Sequence, residues 1–138
     1  MKRSTILMLL SAALALAACG QSQEDKAKAK VCDARADVAK QVDELRGLTL
    51  STATVDGVAA NLKAIRDDLG KIADAQSNLS GARRDQVKAA NQAFGDQVRS
   101  IAQNVGRSLS IADAKTQFKD ATTQLASTYK QTLGRIDC

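Results

Sequence analysis

Two interleaved repeats of seven residues run through the middle of the chain. Val55, Leu62 and Leu69 form one, and Val58, Ile65, Ile72 and Leu79 form the other. Apolar residues at this spacing share one face of an α-helix and cannot share one face of a strand. Lys63, Arg66, Asp67, Asp68 and Lys71 fall between them, on the outward faces. Gln76 is the one polar interruption of the seam. The spacing predicts a helix over about 55–77 that buries a single stripe against neighbours.

Three further segments carry weaker versions of the same period. Val31, Val38 and Leu45, with Ala34, Ala39 and Val42 beside them, predict a helix over about 25–46. Gly47 suits a C′ stop there. A hydroxyl-rich connector over 48–54 offers several N-caps, and a turn is expected over Asn78–Gly81. Val87, Phe94 and Ile101, flanked by Ala90, Val98 and Val105, predict a third helix over about 82–105, broken by Gly106. Ser110 and Asp113 read as a capping box with Asp in place of Glu. A fourth helix over about 111–135 would bury Ile111, Ala114, Phe118, Ala121, Leu125, Tyr129, Leu133 and Ile136.

Composition agrees with an all-α reading. The chain has no Pro, Trp or His, and its only aromatic residues are Phe94, Phe118 and Tyr129. A core of Val, Leu, Ile and Ala suits long helices packed side by side. Four amphipathic stretches joined by short breaks fit an antiparallel up-down-up-down four-helix bundle. Each helix would be roughly 33–38 Å long at 1.5 Å per residue. Gly70 and Gly95 lie inside predicted helices, where Gly costs up to ~1 kcal/mol against Ala. They read either as tolerated weak spots or as points of close approach or kinking.

The first residues have a different character. Met1-Lys2-Arg3 is cationic, Ile6 to Leu16 is apolar and uncharged, and Leu16-Ala17-Ala18-Cys19 ends the run. This is the layout of a cleaved export signal. It is too short for a spanning helix, which needs about 20 apolar residues. An ordinary secretory cleavage after Ala15-Leu16-Ala17 is the plainer alternative. The tetrapeptide resembles the lipobox of bacterial lipoproteins. That resemblance covers only about the first 20 residues, and it implies that Cys19 carries a diacylglycerol on its sulfur, that the leader is cut before it, and that the new amine is often acylated, as by palmitate. One acyl chain binds a membrane only marginally, whereas two or three hold it. Gly20 stands where an Asp often marks inner-membrane retention in that family. The implied location is the cell envelope outside the cytoplasm, on the outer membrane facing the periplasm where there are two membranes.

The resulting division is a signal peptide over 1–18, a lipidated flexible tether over 19–30 and a bundle domain over 31–138. The tether would reach about 30 Å if extended. Lys26, Lys28 and Lys30 in it are either solvated or touch anionic lipid. Loss of the leader leaves 120 of the 138 residues, with 18 bases against 15 acids and thus a charge of +3. Alternating charges of that sum do not argue for nucleic acid.

Cys32 and Cys138 remain once Cys19 is lipidated. An even count in an exported chain reads as a disulfide. An antiparallel bundle would bring the start of its first helix to the end of its fourth. Two cysteines without His make a poor zinc site. Glu24 and Glu44 are the only glutamates, too few for a di-iron cage. No Gly-rich phosphate loop occurs. Ser127-Thr128-Tyr129-Lys130 matches the Ser-x-x-Lys of penicillin-binding enzymes, but no Ser-Asp-Asn or Lys-Thr-Gly accompanies it. No catalytic residue, cofactor or metal is expected.

Asp67-Asp68 and Arg83-Arg84 are the densest like-charge pairs. Asp67-Asp68 reads as an exposed face. Arg83 and Arg84 sit in a helix's first turn, where the dipole disfavours cations. Both pairs are either solvent-facing or a surface for a polar partner. The expected function is that of a non-enzymatic envelope lipoprotein, a scaffold, interaction or chaperone-like module that meets another envelope protein. The alternative is a carrier holding a lipid or other small apolar ligand between its helices.

Cys19→Ala should release the protein from membranes or leave it as unprocessed precursor. Cell fractionation with wild type and mutant checks this; a mutant that still pellets with membranes and shows no precursor would contradict it.

Overall fold

The computed structural model describes residues 20–48, 55–108 and 112–138. Side chains are described within these ranges except at 55, 105–108 and 112–115. Four helices, α1 (Gln23–Gly47), α2 (Val55–Gln76), α3 (Gly81–Ser108) and α4 (Ala112–Gln131), are followed by one 3-10 turn, Leu133–Arg135. No strand occurs among the described residues. The leader, Cys19, the connector 49–54 and the proposed cap at Ser110 lie outside them.

α1 begins earlier than the apolar period alone suggests, because its first turn is capped. Ser22 is the N-cap, and the Asp25 N–H donates to Ser22 Oγ at 3.0 Å. The Ser22 hydroxyl and N–H both donate to Asp25 Oδ2, at 2.7 and 3.3 Å. Such caps contribute about 1 kcal/mol. These hydrogen bonds from Ser22 hold the Asp25 carboxyl below its ordinary pKa. The cap therefore stabilises the fold above the usual carboxylate range and is lost as pH falls through the lowered value. Residues 23–30, which the expected tether of 19–30 shares from 25 onward with the expected first helix, form the first two turns of α1, and Ala27 among them is buried. Only Gly20, Gln21 and Ser22 precede the helix within the described residues.

The helix ends differ in detail from their sequence signals. Gly47 is not a left-handed stop: α1 includes it, and the extended residue Leu48 donates its N–H to Glu44 O and Leu45 O. Gly81 is the only described residue with positive φ, +48°, and it leads the chain from the turn at 77–80 into α3. α3 runs through Gly106 to Ser108. α4 stops at Gln131 rather than 135. There Thr132 donates its N–H to Thr128 O and Tyr129 O and its hydroxyl to Thr128 O. The 3-10 turn that follows still delivers Leu133 and Ile136 to the core. A Cβ on Gly134 would stand 3.1 Å from Tyr129 O, so the turn is tight there.

The helices form a bundle in which α1 packs on α2 and α4, and α3 packs on α2 and α4. The α2 seam of Val58, Leu62, Ile65, Leu69 and Ile72 is buried, and Leu79 continues it in the turn after the helix. Val31, Val38, Val42 and Leu45 face it from α1, and Phe94 and Val98 belong to the same core. Near the end of α2 the buried position is Ala75, with Gln76 only half-buried. An alanine there lets α1 and α2 approach closely. Neither interior Gly is a point of close approach. A Cβ on Gly70 would meet nothing within 4 Å, and one on Gly95 would make ordinary contact with Leu69 Cδ1 at 3.7 Å.

Leu62→Ala or Ile65→Ala should cost roughly 2–5 kcal/mol, the range for large-to-small changes in a filled core. Lys63→Ala, on the exposed side of the same turn, should change stability by only a few tenths of a kcal/mol. Urea melts that give equal, small losses at all three would contradict the packing.

Candidate partner-binding surfaces

Three polar features stand on the bundle: a buried aspartate between α1 and α2, a clasp over the C-terminal segment, and a groove along the α1–α2 face.

Asp67 and Asp68 do not form one exposed pair. Successive helical residues are turned by about 100°, at 3.6 residues per turn, and only one of the two faces solvent. Asp67 is exposed and accepts from Lys63 Nζ at 2.7 Å, one turn back. That hydrogen bond pulls its pKa below the ordinary value. Asp68 is buried, at 3 % exposure. Burying a carboxylate is costly unless its oxygens are satisfied, and both are: Gln41 Nε2 on α1 donates to Oδ2 at 2.8 Å, and Lys71 Nζ donates to Oδ1 at 2.5 Å. The Asp68 hydrogen bond in turn raises the Lys71 pKa. Asp68 is therefore a polar link between helices, occupied by this chain's own groups.

Arg83 and Arg84 also part company. Arg83 is half-buried, and Arg84 is exposed with its Nε 3.8 Å from Asp85 Oδ1. They stand in the first turn of α3, away from Asp67 and Asp68, and no described contact joins the two pairs. Ser127 is exposed and its hydroxyl accepts from Gln131 Nε2 at 3.1 Å, one turn on; no base is set against it. Among the described residues no group of three or more His, Cys, Asp or Glu stands close enough to hold a metal. None of the described helices is long and apolar enough to cross a membrane. Cys19 lies outside the described residues.

Cys32 and Cys138 stand at disulfide distance, with an S–S separation of 2.06 Å and Cα atoms 5.7 Å apart. The link is one part of a clasp. Arg35, one turn along α1 from Cys32, donates from Nη1 to Ile136 O at 2.6 Å. The Tyr129 hydroxyl donates back to Arg35 O at 3.2 Å. The Tyr129 ring meets Phe94 edge-on, with centroids 5.9 Å apart, an arrangement that adds to simple burial. Burial of the phenol raises the Tyr129 pKa above its ordinary value. No periodicity pointed to Arg35, since a guanidinium reaching a backbone carbonyl leaves no trace in sequence spacing. The cap at Ser22 did leave one, the Ser-x-x-Asp spacing of Ser22 and Asp25.

The groove follows the junction of the first half of α1 with the second half of α2. Its volume is ≈ 830 Å³. Alanines make its floor, among them Ala27, Ala34 and Ala75, and charged residues make its walls. Lys26 and Lys30 line it with Asp33, Asp37 and Asp74, and none of these five enters an ion pair within the described residues. Small floor residues and unpaired charges of both signs describe a surface on which a polar, mixed-charge partner can lie close to the backbone.

Two outcomes follow from the clasp. Freshly purified protein should show two alkylatable thiols in the described domain only after reduction, by intact mass. Cys138→Ser should lower stability by about 4–5 kcal/mol on the chain-entropy account of a loop closed across 106 residues; two free thiols in non-reduced protein would contradict the link. The raised Tyr129 pKa makes a second test. Its contribution is complete below the unfolded tyrosine pKa of about 10 and is lost as pH rises through the folded value. Between about pH 9 and about pH 11 the wild type should therefore lose more stability in urea melts than Tyr129→Phe, which has no phenol to ionise. Parallel losses in both proteins would contradict it.

Comparison with known protein families, curated proteins and solved structures finds no match for this chain.

Proposed function

We propose that the mature chain is a lipid-anchored, non-enzymatic envelope protein that works by surface contact. The observation that carries this reading is the sequence Leu16-Ala17-Ala18-Cys19 standing three residues before a capped helix. An anchor so close to a folded domain makes that domain a fixture of the membrane surface. In this proposal the four helices run up-down-up-down. The pairings of α1 with α2 and the turn after it support that direction, since these partners fall in number as α1 partners rise: Ser80 Oγ donates to Glu24 at 2.7 Å, Gln41 to Asp68 at 2.8 Å, and Asn61 to Glu44 at 3.5 Å. The Cys32–Cys138 pair supports the return of α4 beside α1.

The groove along α1 and α2 is the surface best suited to a partner protein. Its unpaired charges favour a helix or strand carrying both signs, held by complementary pairs that set specificity more than affinity. The same charged walls argue against the alternative of a carrier for an apolar ligand, because pockets for such ligands are predominantly apolar and enclosed. A scaffold or chaperone-like role needs no reacting group, in keeping with the chain's lack of His and its two paired cysteines.

Native mass spectrometry of protein purified gently from its own host tests the choice. The proposal expects the mass of the processed, lipidated chain with no stoichiometric small molecule bound. A retained apolar molecule would replace it with the carrier reading.

A further inference from the structure

Resting on the lipid-anchor reading, we infer that one end of the bundle lies directly on the phospholipid headgroups. That end is built from the first turns of α1, the turn at 77–80 and the start of α3. The opposite end, where α1 ends at Gly47 and α2 begins at Val55, is held out from the membrane for a partner.

The inference comes from the length of chain between the anchor and the fold. A tether of about ten residues would let the domain tumble roughly 30 Å from the surface. The structure leaves far less. α1 starts at Gln23, and Ser22 is locked to Asp25 by three hydrogen bonds. Three Cα steps separate Cys19 from Ser22, and at full stretch they reach only about 11 Å. A lipid on Cys19 therefore keeps the tip of α1 within that distance of the headgroups.

The tip cannot move alone. The Ser80 hydroxyl ties the turn after α2 to Glu24 at 2.7 Å. Ala27 and Leu79 are buried in the shared core on either side of that contact. The turn and the first residues of α3 therefore descend with α1. Charge agrees with the placement. Residues 22–30 and 77–85 carry five bases against three acids, and cations near an anionic leaflet are attracted to it. Arg83 and Arg84, otherwise poorly placed at a helix N-terminus, then face phosphate. The far end of α1 lies about 37 Å away along a 25-residue helix. The groove, whose lining begins at Gln21 and Gln23, opens beside the membrane at one end and rises away from it.

Depth-dependent quenching tests this. The lipidated full-length protein is purified from its host and reconstituted in vesicles of phosphatidylethanolamine and phosphatidylglycerol with a headgroup-labelled quencher lipid. A fluorophore is placed on Asn78→Cys, in the turn, or on Arg46→Cys, near the far end of α1; both positions are exposed, and intact mass verifies that Cys32 and Cys138 stay paired. The label at 78 should lose most of its emission and the label at 46 almost none. Equal quenching at the two positions, or stronger quenching at 46, with Cys19 shown by mass to be lipidated, overturns the orientation and leaves the anchor reading standing. A mature chain without lipid at Cys19 overturns both.

Discussion

Everything in this fold hangs on the apolar stripe of α2. Val58, Leu62, Ile65, Leu69 and Ile72 are buried along it, Leu79 extends the stripe into the turn that follows, and α2 packs on both α1 and α3. The chain has few other means of holding together. Phe94, Phe118 and Tyr129 are its only aromatic side chains, so large buried surfaces are scarce. Stability must come from many aliphatic contacts, each individually small and collectively decisive. Alanines at Ala27, Ala34 and Ala75 bring α1 and α2 close, which compensates for modest side-chain volume.

An aliphatic seam of this kind specifies burial better than it specifies register, because Val, Leu and Ile can exchange places at low cost. Polar contacts supply what the seam lacks. Asp68 is satisfied only where Gln41 faces it across the interface. Asn91 Nδ2 reaches Leu69 O from α3 at 3.1 Å. Arg35 reaches Ile136 O. A one-turn slip of any of these helices would strand a buried polar group, at a cost of about 1–3 kcal/mol each. The clasp formed by Cys32–Cys138, Arg35 and Tyr129 then joins the last element to the first.

The helices are legible from spacing because burial of one helical face leaves a seven-residue period, as Val31, Val38 and Leu45, then Val58, Ile65 and Ile72, then Val87, Phe94 and Ile101 show. Helix ends were less legible. Gly47 resembled a stop, yet the chain needs no left-handed residue there; Gly81 does, at φ +48°. The merging of tether and helix is hard to place in the sequence because Lys26, Lys28 and Lys30 hide the burial of a single small residue, Ala27. The burial of Asp68 is hidden for a related reason. Adjacent carboxylates look alike in sequence, whereas a helix turns one outward and the other inward. The groove could not be read at all, since its floor and walls come from segments some 40 residues apart that meet only in the fold.

Native-state hydrogen exchange tests the central claim most directly, because it reports which amides open only when the whole domain unfolds. The account predicts that the slowest amides in the oxidised mature protein lie along α2, from Val58 to Ile72, and on the facing stretch of α1 from Val31 to Val42. Amides of the 3-10 turn and of the first turn of α3 should exchange earlier. If α2 exchanges as fast as those ends, the seam is not what holds the bundle, and the account of the fold built on it is wrong.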